Sequence, residues 1–368
     1  MMPMTFAEHE DLVPLLALAR SRGVGPVLCR RLLRRSGDPR RAYEALAALV
    51  GKGRLRGVRV CPLERAAEEV VRIRERGWRL LGLGGPGYPE GLAALDDAPP
   101  VLMVGGDLAC FGRPMVAVVG ARHASVAGCR FARTLARDLS AAGVCVVSGL
   151  ARGIDGAAHE GALAGAAGTV AVLAAGLDRV YPPEHRDLFA RIRRRGVVMS
   201  EHPLGAPPLA RHFPRRNRLI AALVRAVVVV EASERSGSLM TARLALDLGR
   251  EVLAVPGSPT DPRHAGTNRL LREGAHLVER AEDVLALFSG PIAAAPPPAF
   301  QMPATGPAGG GDLTRRLLDA LGPEPVPVDV LVRELGVEAA ALQEALVGLE
   351  VEGLVLRHPG NRISRLDG

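Results

Sequence analysis

Between Trp78 and Val255 the chain carries eight short apolar runs, most of them rich in valine, and nothing else in the sequence limits its fold so strongly. They are Trp78–Leu83, Val101–Val104, Met115–Gly120, Val144–Ser148, Thr169–Ala174, Val197–Ser200, Ala226–Glu231 and Glu251–Val255. Between most of the later runs lie 10–20 residues rich in Ala, Leu and Arg. A strand that is apolar throughout must be covered on both faces, and helical crossovers supply that cover while setting neighbouring strands parallel. The expectation is an α/β protein on a doubly wound, mostly parallel sheet.

Both flanks of this region change character. Residues 290–312, GPIAAAPPPAFQMPATGPAGGGD, cannot bury a core and read as a linker. Beyond it the pattern predicts helices over 313–321, 327–334 and 338–350, then two short strands around HPGN at 358–361, the outline of a winged helix. Ahead of the sheet, RGVGP at 22–26 places Gly23 and Gly25 in a tight turn between apolar stretches. Such a turn resembles a helix–hairpin–helix, whose backbone amides and following helix N-terminus can hold a phosphate. Arg30 and Arg31 follow on that helix, and with the two glycines they are candidates for a secondary DNA contact. The expected division is a helical domain over 1–70, the sheet domain over 71–289, the linker over 290–311 and the winged helix over 312–368.

Charge becomes informative once it is assigned to these blocks. The whole chain has 47 basic and 39 acidic residues, a net +8, and all but one of the basic residues are arginine. Residues 1–60 hold 12 basic and five acidic residues, and 112–288 hold 24 and 16. By contrast, 61–111 and 313–368 are each net −3. Arginine content alone fits codon bias as well as phosphate recognition by guanidinium forks; its placement separates the two. No stretch reads as a membrane span, and MMPMTFAEHEDLV has no basic leader segment, so no signal peptide is expected. Five cysteines without a CxxC pair suggest a reduced, cytoplasmic protein with no zinc site. No metal or cofactor is expected.

Four segments could carry chemistry, each following an apolar run. In MVAVVGARHASVAGCR (115–130) the strand ends at Gly120, and Arg122 stands where a dinucleotide fingerprint needs its second glycine. That side chain obstructs a pyrophosphate yet can grip a single phosphate through two N–H groups. In SGLARGIDGAAHEGAL (148–163), Ser148 and Gly149 end a strand, and Arg152, Asp155 and His159 are spaced to share one helical face. No GxSxG elbow surrounds Ser148, so a capping and ion-pair cluster outweighs a hydrolase reading. In RHFPRRNRLIAAL (211–223), Arg211, Arg215, Arg216 and Arg218 surround Phe213 and Asn217. Guanidinium groups for phosphates beside a ring for an unpaired base suit single-stranded nucleic acid. In VEASERSGSLMTARLAL (230–246), Ser236, Gly237, Ser238 and Thr241 are phosphate-loop candidates at a helix start. All four loops should fall on one edge of one sheet.

From about Trp78 to Leu287 the chain is similar to the DprA (Smf) family of DNA-processing proteins. The resemblance rests on VVGAR (118–122), SGLARGID (148–155) with His159, and GLDRVYPPEH (176–185), followed by SEHPLG (200–205) and FPRRNRLIA (213–221). It extends through VEA (230–232) with SGSLMTA (236–242) and GREVLAVPG (249–257). It implies an extended Rossmann-like domain between an N-terminal helical (helix–hairpin–helix, SAM-like) domain and a C-terminal winged helix. It further implies a homodimeric, single-stranded DNA-binding recombination mediator, not an enzyme, that protects DNA in natural transformation and helps load the RecA recombinase. Duplex DNA is a possible additional ligand. Arg122 would be the phosphate-gripping arginine, with Ser148, Gly149, Arg152, Phe213, Arg216, Asn217 and Arg218 as further contacts. Ala121, Ala127, Ala174 and His185 depart from the residues usual in the family.

Two rivals are weighed against this. Related sheets host nucleotide-processing phosphoribohydrolases, whose PGGxGT phosphate motif would align with SGSLMT, with Glu231 as the nearest catalytic carboxylate. A duplex-binding regulator acting through the winged helix is disfavoured, since EAAALQEALVGLE (338–350) carries no basic residue and offers only Gln343 for base edges. Near the wing stand Arg357, Arg362 and Arg365, so that domain is expected to serve protein contacts or weak duplex contact.

Overall fold

In a computed structural model of the chain all eight apolar runs are strands. The structure describes residues 12–288 apart from Arg56, and 310–365 apart from 323–324, 338–341, 343–344, 347–348, 350–353 and 359–361. The chain divides into two units, Met1–Pro291 and Ile292–Gly368.

The first unit opens with four helices, α1 (Leu12–Arg20), α2 (Pro26–Ser36), α3 (Pro39–Gly51) and α4 (Leu63–Glu75). Sequence punctuation sets their ends. Gly25 caps α2, with Pro26 at its first position, and Gly37 closes it in the left-handed region. Asp38 caps α3 by accepting from the Arg41 amide at 2.9 Å.

The sheet strands are β1 (Arg79–Gly82), β2 (Val101–Gly106), β3 (Met115–Val119), β4 (Cys145–Ser148), β5 (Thr169–Val172), β6 (Val197–Ser200), β7 (Ala226–Val229), β8 (Glu251–Ala254) and β9 (His276–Leu277). Among them run α5 (Glu90–Ala93), α6 (Val126–Ala141), α7 (Ile154–Ala162), α8 (Arg186–Arg195), α9 (His212–Leu223), α10 (Gly237–Asp247) and α11 (Ala265–Arg272), with α12 (Ala281–Leu285) after β9. The strand order is β1-β2-β6-β5-β4-β3-β7-β8-β9. The seven strands from β3 to β9 pair in parallel, whereas β2 runs antiparallel to β6 and to β1. The fold is thus a mostly parallel, Rossmann-like sheet, as its valine-rich strands predict; β9 is too short to leave a pattern in the sequence.

Side chains alternate between two cores. Val116 and Val118 of β3 face one, and Ala117 and Val119 face the other. The helical block does not stand apart, because its Leu15, Leu16, Leu46 and Ile73 share a third core with Trp78, Leu80, Val101 and Met103 of the sheet region. The second unit contains α13 (Gly310–Ala320), β10 (Val326–Pro327), α14 (Val328–Leu335), β11 (Val355–His358) and β12 (Arg362–Arg365). Its strands form a three-stranded antiparallel sheet, in the manner of a winged helix, over its own leucine core.

Ile73 is fully buried at the seam between helices and sheet. Ile73→Ala should cost about 2–5 kcal/mol through lost contacts and a residual cavity. The only tryptophan, Trp78, lies in the same core and reports the loss by its fluorescence during urea unfolding. An unchanged midpoint would show that the seam is not cohesive.

Candidate nucleic-acid interface

β3 and β7 are adjacent and parallel in register from Val116 opposite Ala226 to Val119 opposite Val229, yet the chain leaves them towards opposite halves of the sheet. A crevice opens where such connections diverge. Here it is a cleft of about 460 Å³ whose lining includes Arg122, His123, Phe213, Asn217, Ser236 and Arg263. A smaller hollow beside it shares Arg122 and Phe213 and adds Arg152, Arg179 and Tyr181.

Buried polar groups hold these loops. Glu231, after β7, accepts from the Ser125 amide at 2.9 Å and from the Ser125 hydroxyl, while Ser125 caps α6 by accepting from the Gly128 amide at 2.8 Å. After β4, one Asp155 carboxylate oxygen accepts from the Gly149 and Ala151 amides at 3.2 and 3.3 Å. His159 Nε2 accepts from the Leu150 amide at 3.3 Å, and its Nδ1 lies 2.7 Å from the Thr169 hydroxyl. That hydroxyl donates onward to the Val146 carbonyl, so His159 is neutral with its proton on Nδ1. Burial pushes the His159 imidazole down to about 3, helped by the positive surroundings of His185 and Arg216. Burial also raises the Asp155 carboxyl, against the opposing pull of Arg216. The two loops meet backbone to backbone. Ile154 donates to the Ala121 carbonyl at 3.2 Å, and Gly153, at φ +71°, leaves no room for a side chain against the Ala121 and Arg122 carbonyls.

At the rim Arg122 is exposed, and its guanidinium carbon lies 4.6 Å from the centre of the Phe213 ring. A contact of that kind orients the guanidinium and contributes about 0.5–1 kcal/mol at an exposed site. Phe213 in turn meets Tyr181 edge to face at 5.9 Å, and Tyr181 is 38% exposed. The result is a positively charged rim with two aromatic rings set beside it.

Comparison with known proteins follows the same outline. The chain matches the family described as DNA recombination-mediator protein A over residues 79–289, a DprA-like N-terminal HHH domain over 9–71 and a DprA winged helix domain over 295–361. It is 40% identical over 283 residues to protein Smf of Escherichia coli, covering 75% of this chain and 74% of that protein. The chain belongs to the DprA/Smf family. With the Streptococcus pneumoniae DprA protein it shares 45% identity over 201 residues, 55% of this chain and 71% of that one. The solved S. pneumoniae structure superposes with a TM-score of 0.64 at 31% identity, over 76% of this chain and 98% of that one. A Helicobacter pylori DNA processing protein A, solved for its single-stranded DNA binding mode, gives a TM-score of 0.53 at 30% identity, over 57% of this chain and 95% of that one. Family membership makes this a DNA-processing recombination mediator.

Within this DprA/Smf fold the expected site residues differ in their placement. Gly120, Arg122, Gly149, Arg152, Phe213, Asn217, Ser236, Gly237, Ser238 and Thr241 do line one or other hollow. Arg211 and Arg215 are exposed at the start of α9. Asn217 spends an amide proton on the Gly237 carbonyl at 3.2 Å, tying α9 to the loop before α10.

Several expected residues, some of the lining ones among them, are buried or otherwise engaged. Ser148 is fully buried and donates to the Val118 carbonyl at 2.7 Å, so it faces no ligand. Arg218 lies under the surface, paired with Glu201 at 2.6 Å and with Asp97 at 3.2 Å. Arg216, 4% exposed, forms the cleft floor and donates to the Val172 carbonyl at 3.0 Å, while Gly149 packs flat against its guanidinium. Arg152 precedes α7 instead of riding on it, and pairs with Glu184; only Asp155 and His159 share the helix, both turned inward. In the helical block Arg30 donates to the Leu95 and Ala93 carbonyls, so it fastens α2 to the sheet region, while Arg31, Gly23 and Gly25 stay exposed. Ser238 and Thr241 are largely buried, and Ser236 caps α10 by accepting from the Ser238 amide. Glu231, the carboxylate the nucleotide-processing rival needs, is buried on Ser125 and not exposed to the cleft.

Tyr181, Arg179, His123 and Arg263 are brought to the hollows by the fold, the last two without a local signal of their own. The first two stand inside the GLDRVYPPEH motif, where a tyrosine beside an arginine could have been read as a second stacking site. Arg263 comes from the loop after β8 and is held by Asp261 at 2.6 Å.

The buried histidine gives a pH signature. The folded His159 resists protonation, so its contribution is present above the ordinary imidazole value of about 6.5 and is lost as pH falls towards 3. The stability advantage of the wild type over His159→Gln should therefore shrink from pH 7 to pH 4 in urea unfolding. A difference that grows on acidification would reverse the assignment of a neutral ring.

Proposed function

We propose that this chain binds single-stranded DNA along the C-terminal edge of its sheet, with Arg122 and the exposed Arg211 and Arg215 on phosphates. Phe213 and Tyr181 serve as base platforms. The observation that carries this reading is the Arg122–Phe213–Tyr181 assembly at the mouth of the cleft. It joins a cation for a phosphate to rings for an unstacked base, and a duplex, whose bases are already stacked, cannot use the rings. A H. pylori relative described as binding single-stranded DNA supports it. In this reading the protein is a cytoplasmic homodimer that protects incoming single strands in natural transformation and hands them to RecA, without catalysing a reaction. Along 1–70, 71–289, 290–311 and 312–368, this reading gives strand binding first to the sheet region, against which the helical block packs, and not to the winged helix.

The winged helix plays a different part. Its block is net −3. Gln343 and most of the 338–350 helix lie outside the described residues, and Arg362 and Arg365 are exposed on β12. A protein-directed or regulatory role fits that charge. The isolated 312–368 segment should bind duplex DNA only weakly at physiological salt, and nanomolar duplex binding in a fluorescence-anisotropy titration would overturn this part.

A salt titration of single- and double-stranded DNA binding tests the main reading. Phe213→Ala should weaken single-strand binding by about 1–3 kcal/mol, the worth of one base–aromatic stack. Arg122→Ala should lower the log–log salt slope by about 0.7, one phosphate on a single strand. Equal affinity for both forms of DNA, indifferent to Arg122, would refute it.

A further inference from the structure

A second basic cleft, of about 520 Å³, lies where the helical block meets the start of the loop after β6. The turn after α1 and the segment before α4 pair through one isolated antiparallel bridge, with Arg22 donating to the Arg59 carbonyl at 2.9 Å and Arg59 to the Arg22 carbonyl at 3.0 Å. Residues directly opposite in such a pair project to the same side, where like charges repel. The bridge is nevertheless pinned. The Ser21 hydroxyl accepts from the Cys61 amide at 3.0 Å and donates to the Ala17 carbonyl at 2.8 Å, and the Tyr43 hydroxyl donates to the Cys61 carbonyl at 3.0 Å.

The facing wall is α4. Arg65, Glu69 and Arg72 stand at i, i+4 and i+7 and so form one stripe. Glu69 is already neutralised, since Arg20 Nε reaches its two oxygens at 3.1 and 3.0 Å and Nη2 reaches one at 2.9 Å. Glu68 stands four residues before Arg72 on the flank of this stripe, with Glu64 and Glu75 further round the helix, and none of the three lines the cleft. Arg22, Arg59, Arg65 and Arg72 are all exposed, and among the described residues none of them pairs with a carboxylate. Four guanidinium groups therefore line one cleft whose lining acid, Glu69, is already taken by Arg20, and two of them are held opposite each other by the backbone.

We infer that this cleft binds the phosphate backbone of the strand that occupies the sheet edge, as an outboard continuation of the same track; the inference rests on the proposed single-strand reading. Arg65 and Arg72 are about 10 Å apart along the helix, so they meet different phosphates, and the ligand is a polyanion and not one phosphate. The two clefts are joined by a single loop: Pro203 and Leu204 line this one and Pro208 lines the hollow beside Phe213. Four residues of chain span at most about 14 Å, within reach of a strand a few nucleotides long.

The test compares oligothymidylates of about six and about 20 nucleotides, chosen around the roughly 4–16 nucleotide footprint of a single-strand site. The full-length variant Arg59→Gln/Arg65→Gln/Arg72→Gln should bind the short strand as the wild type does. On the long strand it should lose about tenfold or more at low salt, with a log–log salt slope smaller by about 2, three phosphates at 0.7 each. Unchanged affinity and slope on the long strand, or an equal loss at both lengths, overturns the inference. Arg122→Ala, measured alongside, separates the two sites. If it weakens both lengths while the triple variant weakens neither, only the second cleft falls. If it weakens neither while the triple variant affects the long strand, the sheet-edge reading fails and the second cleft stands as a site in its own right.

Discussion

The carboxylate of Glu231 at the end of β7 takes both the amide and the hydroxyl of Ser125 at the start of α6, and the working edge of the sheet hangs on that grip. A buried carboxylate is tolerated only when donors surround it, and these donors come from the first loop. The loop carrying Arg122 is thereby fixed to the strand next to the one it leaves. Asp155 steadies the next loop from within, on the amides of Gly149 and Ala151. Two acids that resemble catalytic groups in sequence therefore act as clamps, and the cations they leave at the rim are free to meet a ligand.

What could be read in advance follows from which forces leave a periodic trace. Burial on both faces leaves one, so the runs from Trp78 to Val255 marked their strands and the parallel order of most of them. Proline and glycine leave one too, at the start of α2 and at Gly37. Arginine pairing does not. Arg215, Arg216 and Arg218 are near neighbours in sequence, yet only Arg215 is exposed. Arg218 meets Glu201 and Asp97, 17 and 121 positions away, and no local pattern announces partners so distant. Arg152 falls just outside the helix its spacing with Asp155 and His159 suggests, because the cap of α7, Gly153, adopts a conformation the hydrophobic pattern does not encode.

The arginine excess accordingly has two components. Arg20, Arg30 and Arg218 are internal fittings that each engage partners through more than one N–H group, and Arg216 is buried on the Val172 carbonyl. A lysine, with its compact ammonium, could not span carbonyls and carboxylates in the same way. Arg122, Arg211 and Arg215, and the four around the bridge at Arg22 and Arg59, are the portion that faces outward. A net charge of +8 thus understates how unevenly positive the first unit is, because much of its acid is matched by arginine within the fold.

The core shared by Leu15, Leu16, Leu46 and Ile73 with Trp78, Leu80, Val101 and Met103 bears on how such chains can be rearranged over evolution. Where such a block covers a sheet, its buried face can drift in sequence only in step with the strands beneath it. The winged-helix unit closes its own leucine core behind a proline- and glycine-rich segment. It can be lost, acquired or re-targeted without altering the sheet. Changes at Leu15, Leu16, Leu46 or Ile73 should accordingly be matched by changes at Trp78, Leu80, Val101 or Met103, whereas the leucines of the winged helix are free of that constraint.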